Sequence, residues 1–350
     1  MKEGRRRLLG LGLFIVSVVL TGICWMVISF HHDFQSIPKD HLIGNKTSTV
    51  AALKEQGFPF SFLVIGDTHG RETAETLIDR ALKKGSPSFM VILGDFVKKP
   101  DLWNHHFFLT EMTVEMRLLF PVFLVPGNHD IDYRSLKEID NDRRVSPEVY
   151  ESLYGARNLD FTFNDCLFII CGIDPRNRIG YLNYLRDTLY QKRKDKRHVF
   201  IFIHHPPKGF TDYIEDFLPN EEEFFSIIEH YRVTSCFFGD YHGYWRGQRK
   251  GVNLIVTGGG GRLKKSQSEW GKFHHILRVS VDNDKISEDL ITMQETFSIE
   301  DSYENWVFLH LFPVLENRGW ILYTVTSIFL GLTVYSLIFV VIFPRKKNSE

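Results

Sequence analysis

The chain has 350 residues, 43% of them hydrophobic and 24% charged, with a formal net charge of −1. That apolar content excludes a disordered chain, which lacks material for a core. Four cysteines in this length exclude a small disulfide-stapled scaffold.

Lys2, Arg5, Arg6 and Arg7 open the sequence, and no charge follows from Leu8 to Phe30. A second uncharged run covers Trp320 to Phe343 and stops at Arg345, Lys346 and Lys347. A bilayer is crossed by about 20 apolar residues in a helix, so residues 8–30 and 320–343 are expected to be transmembrane. Lys and Arg near span ends favour the cytoplasmic side. The tails 1–7 and 344–350 are then both cytoplasmic, and everything from 31 to 319 lies outside: the periplasm or cell exterior, or a lumen in a eukaryotic host. The first run is too long for a signal-peptide core, and no small-x-small site follows Ser29. The region between the spans holds 35 Lys and Arg against 41 Asp and Glu, a net of −6. Such an acidic surface argues against nucleic acid as a partner. Asn45-Lys46-Thr47 is a glycosylation sequon.

Residues 31–58 read as a polar stalk with a short helix near Thr49–Gln56. Apolar runs of strand length then alternate with helical periodicity. Strands are expected at Phe60–Ile65, Phe89–Leu93, Val122–Val125, Leu167–Cys171, Val199–Ile203 and Thr234–Phe238. Helices are expected at Thr73–Lys84, Trp103–Leu119, Pro147–Tyr154, Gly180–Lys194 and Glu221–Tyr231. After that the helices stop. Leu254–Thr257, Phe273–Val281 and Lys285–Met293 read as strands, the last two joined at Asp282-Asn283-Asp284. Short, wholly apolar strands separated by helices imply sheets covered on both faces. The expectation is one α/β domain over 59–295, a two-sheet sandwich flanked by helices, followed by a juxtamembrane segment at 296–319.

The chemistry sits where the strands end. The first expected strand runs into Gly66-Asp67-Thr68-His69, the second into Gly94-Asp95, and the third into Pro126-Gly127-Asn128-His129-Asp130. Two later ones run into His204-His205-Pro206 and Gly239-Asp240-Tyr241-His242. Sites in open α/β sheets form beyond the carboxyl ends of strands. Carboxylate, amide oxygen and imidazole together suit hard or borderline divalent metals. Asp67/His69 and Asp240/His242 are each two apart, a spacing that puts both side chains on one side of an extended segment.

This ordered set, from Asp67-x-His69 through Gly94-Asp95, Gly127-Asn128-His129-Asp130 and His204 to His242, resembles the calcineurin-like metallophosphoesterase superfamily. The resemblance covers about residues 59–295 and implies the fold of that superfamily, with two divalent metals (Mn, Fe or Zn). One metal would be held by Asp67, His69, Asp95 and His242. The second would share Asp95 as a bridge and add Asn128 and His204. Asp240 stands where the family has a further histidine; an oxygen donor there is expected to favour manganese. His129 would protonate the leaving group, with Asp130 orienting it. The implied activity is hydrolysis of a phosphate ester by a metal-bridging hydroxide. Tethering at both ends suggests a lipid-linked or envelope ester. The rival expectation, motivated by Asp240, is a metal-binding pseudo-phosphoesterase serving as an envelope interaction or sensor module. Arg71 and Arg134 follow ligand motifs and are candidate substrate contacts.

Overall fold

In a computed structural model of the chain, the described residues are 2–134, 143–208, 218–263, 271–283, 285–294, 299–315 and 318–342. They fall into two units, Pro38–Ser298 and the pair Met1–Ile37 with Ile299–Glu350.

The first unit contains two mixed sheets. One has the order β11-β10-β1-β2-β3, and the other β4-β5-β6-β7-β9-β8. In the first, β1 (Phe60–Ile65), β2 (Phe89–Ile92) and β3 (Val122–Leu124) run parallel, and β10 (His274–Val281) and β11 (Ile286–Met293) add antiparallel. In the second, β5 (Cys166–Cys171), β6 (His198–Ile203), β7 (Ser235–Phe238) and β9 (Val252–Thr257) run parallel. Its edges are β4 (Leu159–Phe163) and β8 (Tyr244–Arg249), both antiparallel.

Period-two alternation explains why the sheets stack. Phe60, Phe62 and Val64 of β1 share one core with Phe168 of β5, Phe200 and Phe202 of β6 and Phe237 of β7. Phe62 stacks on Phe89 at 5.1 Å and meets Phe200 edge-on at 5.3 Å. Aromatic pairs of this kind add about 0.5–1.5 kcal/mol each beyond area burial. The opposite faces of β5 and β6 (Leu167, Ile169, Val199 and Ile201) pack under α6 (Gly180–Lys192) and α7 (Glu221–His230). Both faces of these strands are therefore apolar. On the first sheet, α3 (Glu72–Lys83) buries Ala74, Leu77, Ile78 and Ala81. It carries acid in its first turn and base in its last, as the helix dipole favours.

Several expectations are corrected here. The segment read as a stalk joins the sandwich from Pro38 onward. Ile43 bridges Val122, and α2 (Thr47–Ala51) follows. The Asn45 amide donates to the Leu124 and Ala156 carbonyls at 2.7 and 2.8 Å and accepts from the Leu124 amide at 3.0 Å. A buried amide committed in this way is not a glycan acceptor. The helix expected at 103–119 is α4 (Leu102–Thr110), which widens to a π turn at Glu111–Glu115 and then ends. β4 and β8 lie outside the expected strands; β8 is an exposed edge, and its charged alternation carries no apolar signal. α5 (Pro147–Tyr154) has the expected span.

In the other unit, α1 (Lys2–Gln35) and α10 (Gly319–Ile342) are long and apolar enough to cross a membrane. They meet along a polar seam where the Thr21 and Thr333 hydroxyls lie 3.3 Å apart, with Ser17 and Ser336 buried. α8 (Ile299–Trp306) widens through Val307–Leu311 into α9 (Phe312–Leu315). Phe308 packs 6.2 Å from Phe30 and Phe312 5.4 Å from His31, so this stretch covers the end of α1. The expected tail 344–350 and the turn residue Asp284 lie outside the described residues.

Candidate metal centre

The loops after β1, β2, β3, β6 and β7 are stitched together by backbone. The Asp67 amide donates to the Gly94 carbonyl at 3.1 Å, His69 to Asp95 at 3.0 Å, and Gly239 to His204 at 2.8 Å. Four motif residues have left-handed backbone: Asp67 (φ 56), His69 (φ 51), Asp95 (φ 50) and Asp240 (φ 60). The paired side chains therefore converge through sharp turns, where the spacing argument assumed extended chain. Such positions cost energy for residues other than glycine and concentrate at functional sites. At Gly127 a Cβ would collide with the Asp95 carboxylate, and at Gly258 with that of Asp67. Glycine there lets the loops close on the acidic groups.

The side chains gather in two clusters. Donor atoms of Asp67, His69 and His242 lie within 4.8 Å of one another, as do those of Asp67, Asp95 and His204. His242 Nε2 stands 3.5 Å from Asp67 Oδ1. His204 Nε2 faces three oxygens: Asn128 Oδ1 at 3.1 Å, Asp95 Oδ1 at 3.4 Å and Asp240 Oδ1 at 3.8 Å. Asp67, Asp95, His204, Asp240 and His242 are all buried.

The imidazoles are set for ligation. The Nδ1 of His204 meets the Leu93 carbonyl at 2.6 Å, and that of His242 the Arg262 carbonyl at 2.5 Å. A carbonyl accepts only, so Nδ1 carries a proton in each, and any lone pair the ring offers on losing its other proton is at Nε2. His69 Nε2 is buried without a hydrogen-bond partner among the described residues. Burial pushes His69 down to about 4 against the pull of Asp95, which keeps it neutral. Burial also disfavours charge on His204, yet Asp95, Asp67 and Asp240 together push it up to about 9. Buried carboxylates crowding imidazole lone pairs fit divalent cations.

His129 is half exposed, with Nε2 3.9 Å from Asp95 Oδ2. Its Nδ1 donates to the Lys98 carbonyl at 3.0 Å. The expectation that Asp130 orients His129 is corrected. The Asp130 carboxylate is fully buried and accepts the amides of Asp95 (2.8 Å), Phe96 (3.0 Å), Val97 (3.3 Å) and Gly127 (2.7 Å). Burial and the neighbouring Asp95 push it up to about 8, and those amides pull it down. It clamps two motif loops together. Beneath it, His105 bridges the Asp130 carbonyl and the Tyr154 hydroxyl, both at 3.0 Å. Read from sequence, His105 passes for an ordinary helix residue, because nothing local marks it as buried. His275 is a second such case: it joins Thr257 to Phe273 at 2.9 Å each, beside the turn at Gly259.

The expected arginines divide. Arg71 starts α3 and helps hold the His69 imidazole down. Arg134 lies in a cleft beside Asn128, paired through two nitrogens to Asp132.

A family model for calcineurin-like phosphoesterases matches residues 60–244. The chain belongs to the calcineurin-like phosphoesterase family. Its two mixed sheets flanked by helices fit the family fold. One solved structure shares it, and others are similar. Purple acid phosphatase PPD1 from yellow lupin (Lupinus luteus) seeds is 14% identical, covering 67% of this chain and 52% of its own, with a TM-score of 0.51. The chain thus spans about half the length of the lupin protein. A dimetal phosphatase from Danio rerio is 13% identical over 67% of this chain and 98% of its own, with a TM-score of 0.48. GAP50, the anchor in the inner membrane complex of Plasmodium, is 14% identical over 69% and 87%, also at 0.48. At 14% identity the likeness to the lupin protein is one of fold. No curated protein matches the chain.

Proposed function

We propose that this calcineurin-like protein is a membrane-anchored hydrolase of phosphoric esters that works with two divalent metal ions. The observation carrying this reading is the ring of Asn128, Asp95 and Asp240 oxygens around His204 Nε2, beside the Asp67-His69-His242 cluster. Asp67, His69, Asp95 and His242 would hold one cation. Asp95, Asn128, His204 and Asp240 would hold the other, an oxygen-rich set that suits Mn²⁺. Metals bound there supply positive charge to phosphate oxygens and acidify water.

The protein's own groups do the rest. Leu93 and Arg262 carbonyls keep the His204 and His242 rings in the ligating tautomer. Asp130 holds the Asp95 loop in place. His129, exposed and with its Nδ1–H tied to Lys98, is placed to hand a proton from Nε2 to the leaving oxygen. The basic clusters flanking the two apolar helices support cytoplasmic termini and an extracytoplasmic catalytic unit.

The test is metal content and turnover measured on one preparation of the full-length protein in detergent. Hydrolysis of p-nitrophenyl phosphate or its bis ester, with about two metals bound, is the expected result. Two metals without turnover would replace this reading by a metal-binding interaction or sensor module, and failure to bind metal would remove both.

A further inference from the structure

A cleft of about 680 Å³ opens beside Asn128 and His205. Small-molecule sites are typically about 300–1,000 Å³, so this one is large enough for the remainder of a substrate whose phosphate sits at the metal ligands. Its walls are largely apolar, with Ile131, Ile173 and Pro175 among them, yet three arginines reach it.

The three differ in state. Arg134 is held through Nε and Nη2 by Asp132 at 3.0 and 2.9 Å. Arg176 is held in the same way by Asp174 at 3.0 and 2.8 Å, and it lies 5.3 Å over the Tyr133 ring. Both are neutralised and fixed as parts of the wall. Arg178 is exposed and forms no hydrogen bond or ion pair among the described residues. His205, which follows the candidate ligand His204, lines the same cleft. An un-neutralised guanidinium thus lines a concavity that ends at a candidate metal ligand, Asn128.

An isolated surface arginine would need no explanation. This one faces an apolar cleft on a region that is otherwise net acidic, so it concentrates the local attraction for anions. Guanidinium binds phosphate and carboxylate through two parallel hydrogen bonds. We propose that the cleft holds the part of the substrate beyond the scissile phosphate, and that it selects phosphoesters carrying a second anionic group on an apolar or ring-shaped spacer. Arg178 is the counter-ion of that second group. The proposal rests on the phosphoesterase reading of the metal centre and adds a specificity residue to it.

The experiment uses two ligands that cannot be hydrolysed, phenylphosphonate and 1,4-phenylene bisphosphonate, titrated calorimetrically into the full-length, Mn²⁺-loaded protein in detergent. One charge-assisted contact predicts that the bisphosphonate binds about tenfold more tightly. Arg178→Gln should remove most of that advantage and leave phenylphosphonate binding unchanged. Arg178→Lys should keep part of it, and Arg117→Gln, outside the cleft, all of it. Equal binding of the two ligands by the parent protein would overturn the proposal. So would an advantage that survives Arg178→Gln. Failure of the hydrolase reading looks different: no p-nitrophenyl phosphate turnover, with the bisphosphonate preference intact.

Discussion

Asp240 Oδ1 points at His204 Nε2 across 3.8 Å, from a residue whose own amide donates to Asp67 Oδ2 at 3.0 Å. One residue thus touches both acidic clusters, its backbone on one and its side chain on the other. If its carboxylate completes the second metal site, Asp240→Ala should lower bound metal from about two per chain to about one. Asp240→His should move the preference from Mn²⁺ toward Zn²⁺, because added imidazole suits zinc. Elemental analysis of the purified variants decides. Full metal content and activity in Asp240→Ala would show that this carboxylate is no ligand.

Asp95 belongs to the cluster with Asp67 and His204. It stands near His204 and His129 and accepts the His129 amide at 2.9 Å. Its charge also acts on His69. Asp95→Asn should therefore reduce kcat/KM by more than the roughly 10–100-fold typical of changes behind the ligands. Steady-state kinetics beside Asp67→Asn and His242→Ala would rank the three. A folded Asp95→Asn protein with near-parental rates would refute the shared-metal arrangement.

Asp130 and His129 are neighbours with opposite expected phenotypes. Asp130→Asn puts an amide against four backbone N–H groups in a dry site. It should lower stability by about 2–4 kcal/mol, since each unsatisfied buried donor costs about 1–3. His129→Ala removes a half-exposed ring and should leave stability within about 0.5 kcal/mol, while kcat falls about 10²–10⁴-fold as a lost general acid would. Denaturant midpoints and kcat for the two variants test the division. Equal destabilisation would refute it.

Metal binding should release a proton. Below about pH 9 the metal-free His204 is protonated, because its carboxylate neighbours outweigh burial. A metal needs the same Nε2 lone pair, so affinity should rise with pH and level off above about 9. Calorimetry at pH 7.5 in buffers of different ionisation heat should report close to one proton released for the second metal. Heats independent of buffer would contradict this.

The candidate site is legible because its chemistry is local: each ligand candidate ends a strand beside glycine or proline, and strands of Phe, Val and Ile announce themselves. What escaped depends on distance. His105 gains its role from Asp130 and Tyr154, far along the chain. Asn45 reads as a surface sequon until its partners on either side of β3 and α5 are seen. Arg178 was missed because it follows no ligand motif, and the cleft that gives it meaning draws on loops from Pro100 to Pro219. The Asp67/His69 pairing was anticipated with the wrong backbone, since a spacing of two does not distinguish extended chain from left-handed turns.

Those left-handed turns make the chemistry easy to lose and the scaffold easy to keep. At Asp67, Asp95 and Asp240 the backbone already has the conformation glycine prefers, and an aspartate codon becomes a glycine codon by a single base change. Such a change would delete a ligand while relaxing the chain that carried it. Descendants of this protein that no longer handle metal should therefore be recognisable by glycine at these positions, on sheets whose phenylalanine core is unchanged.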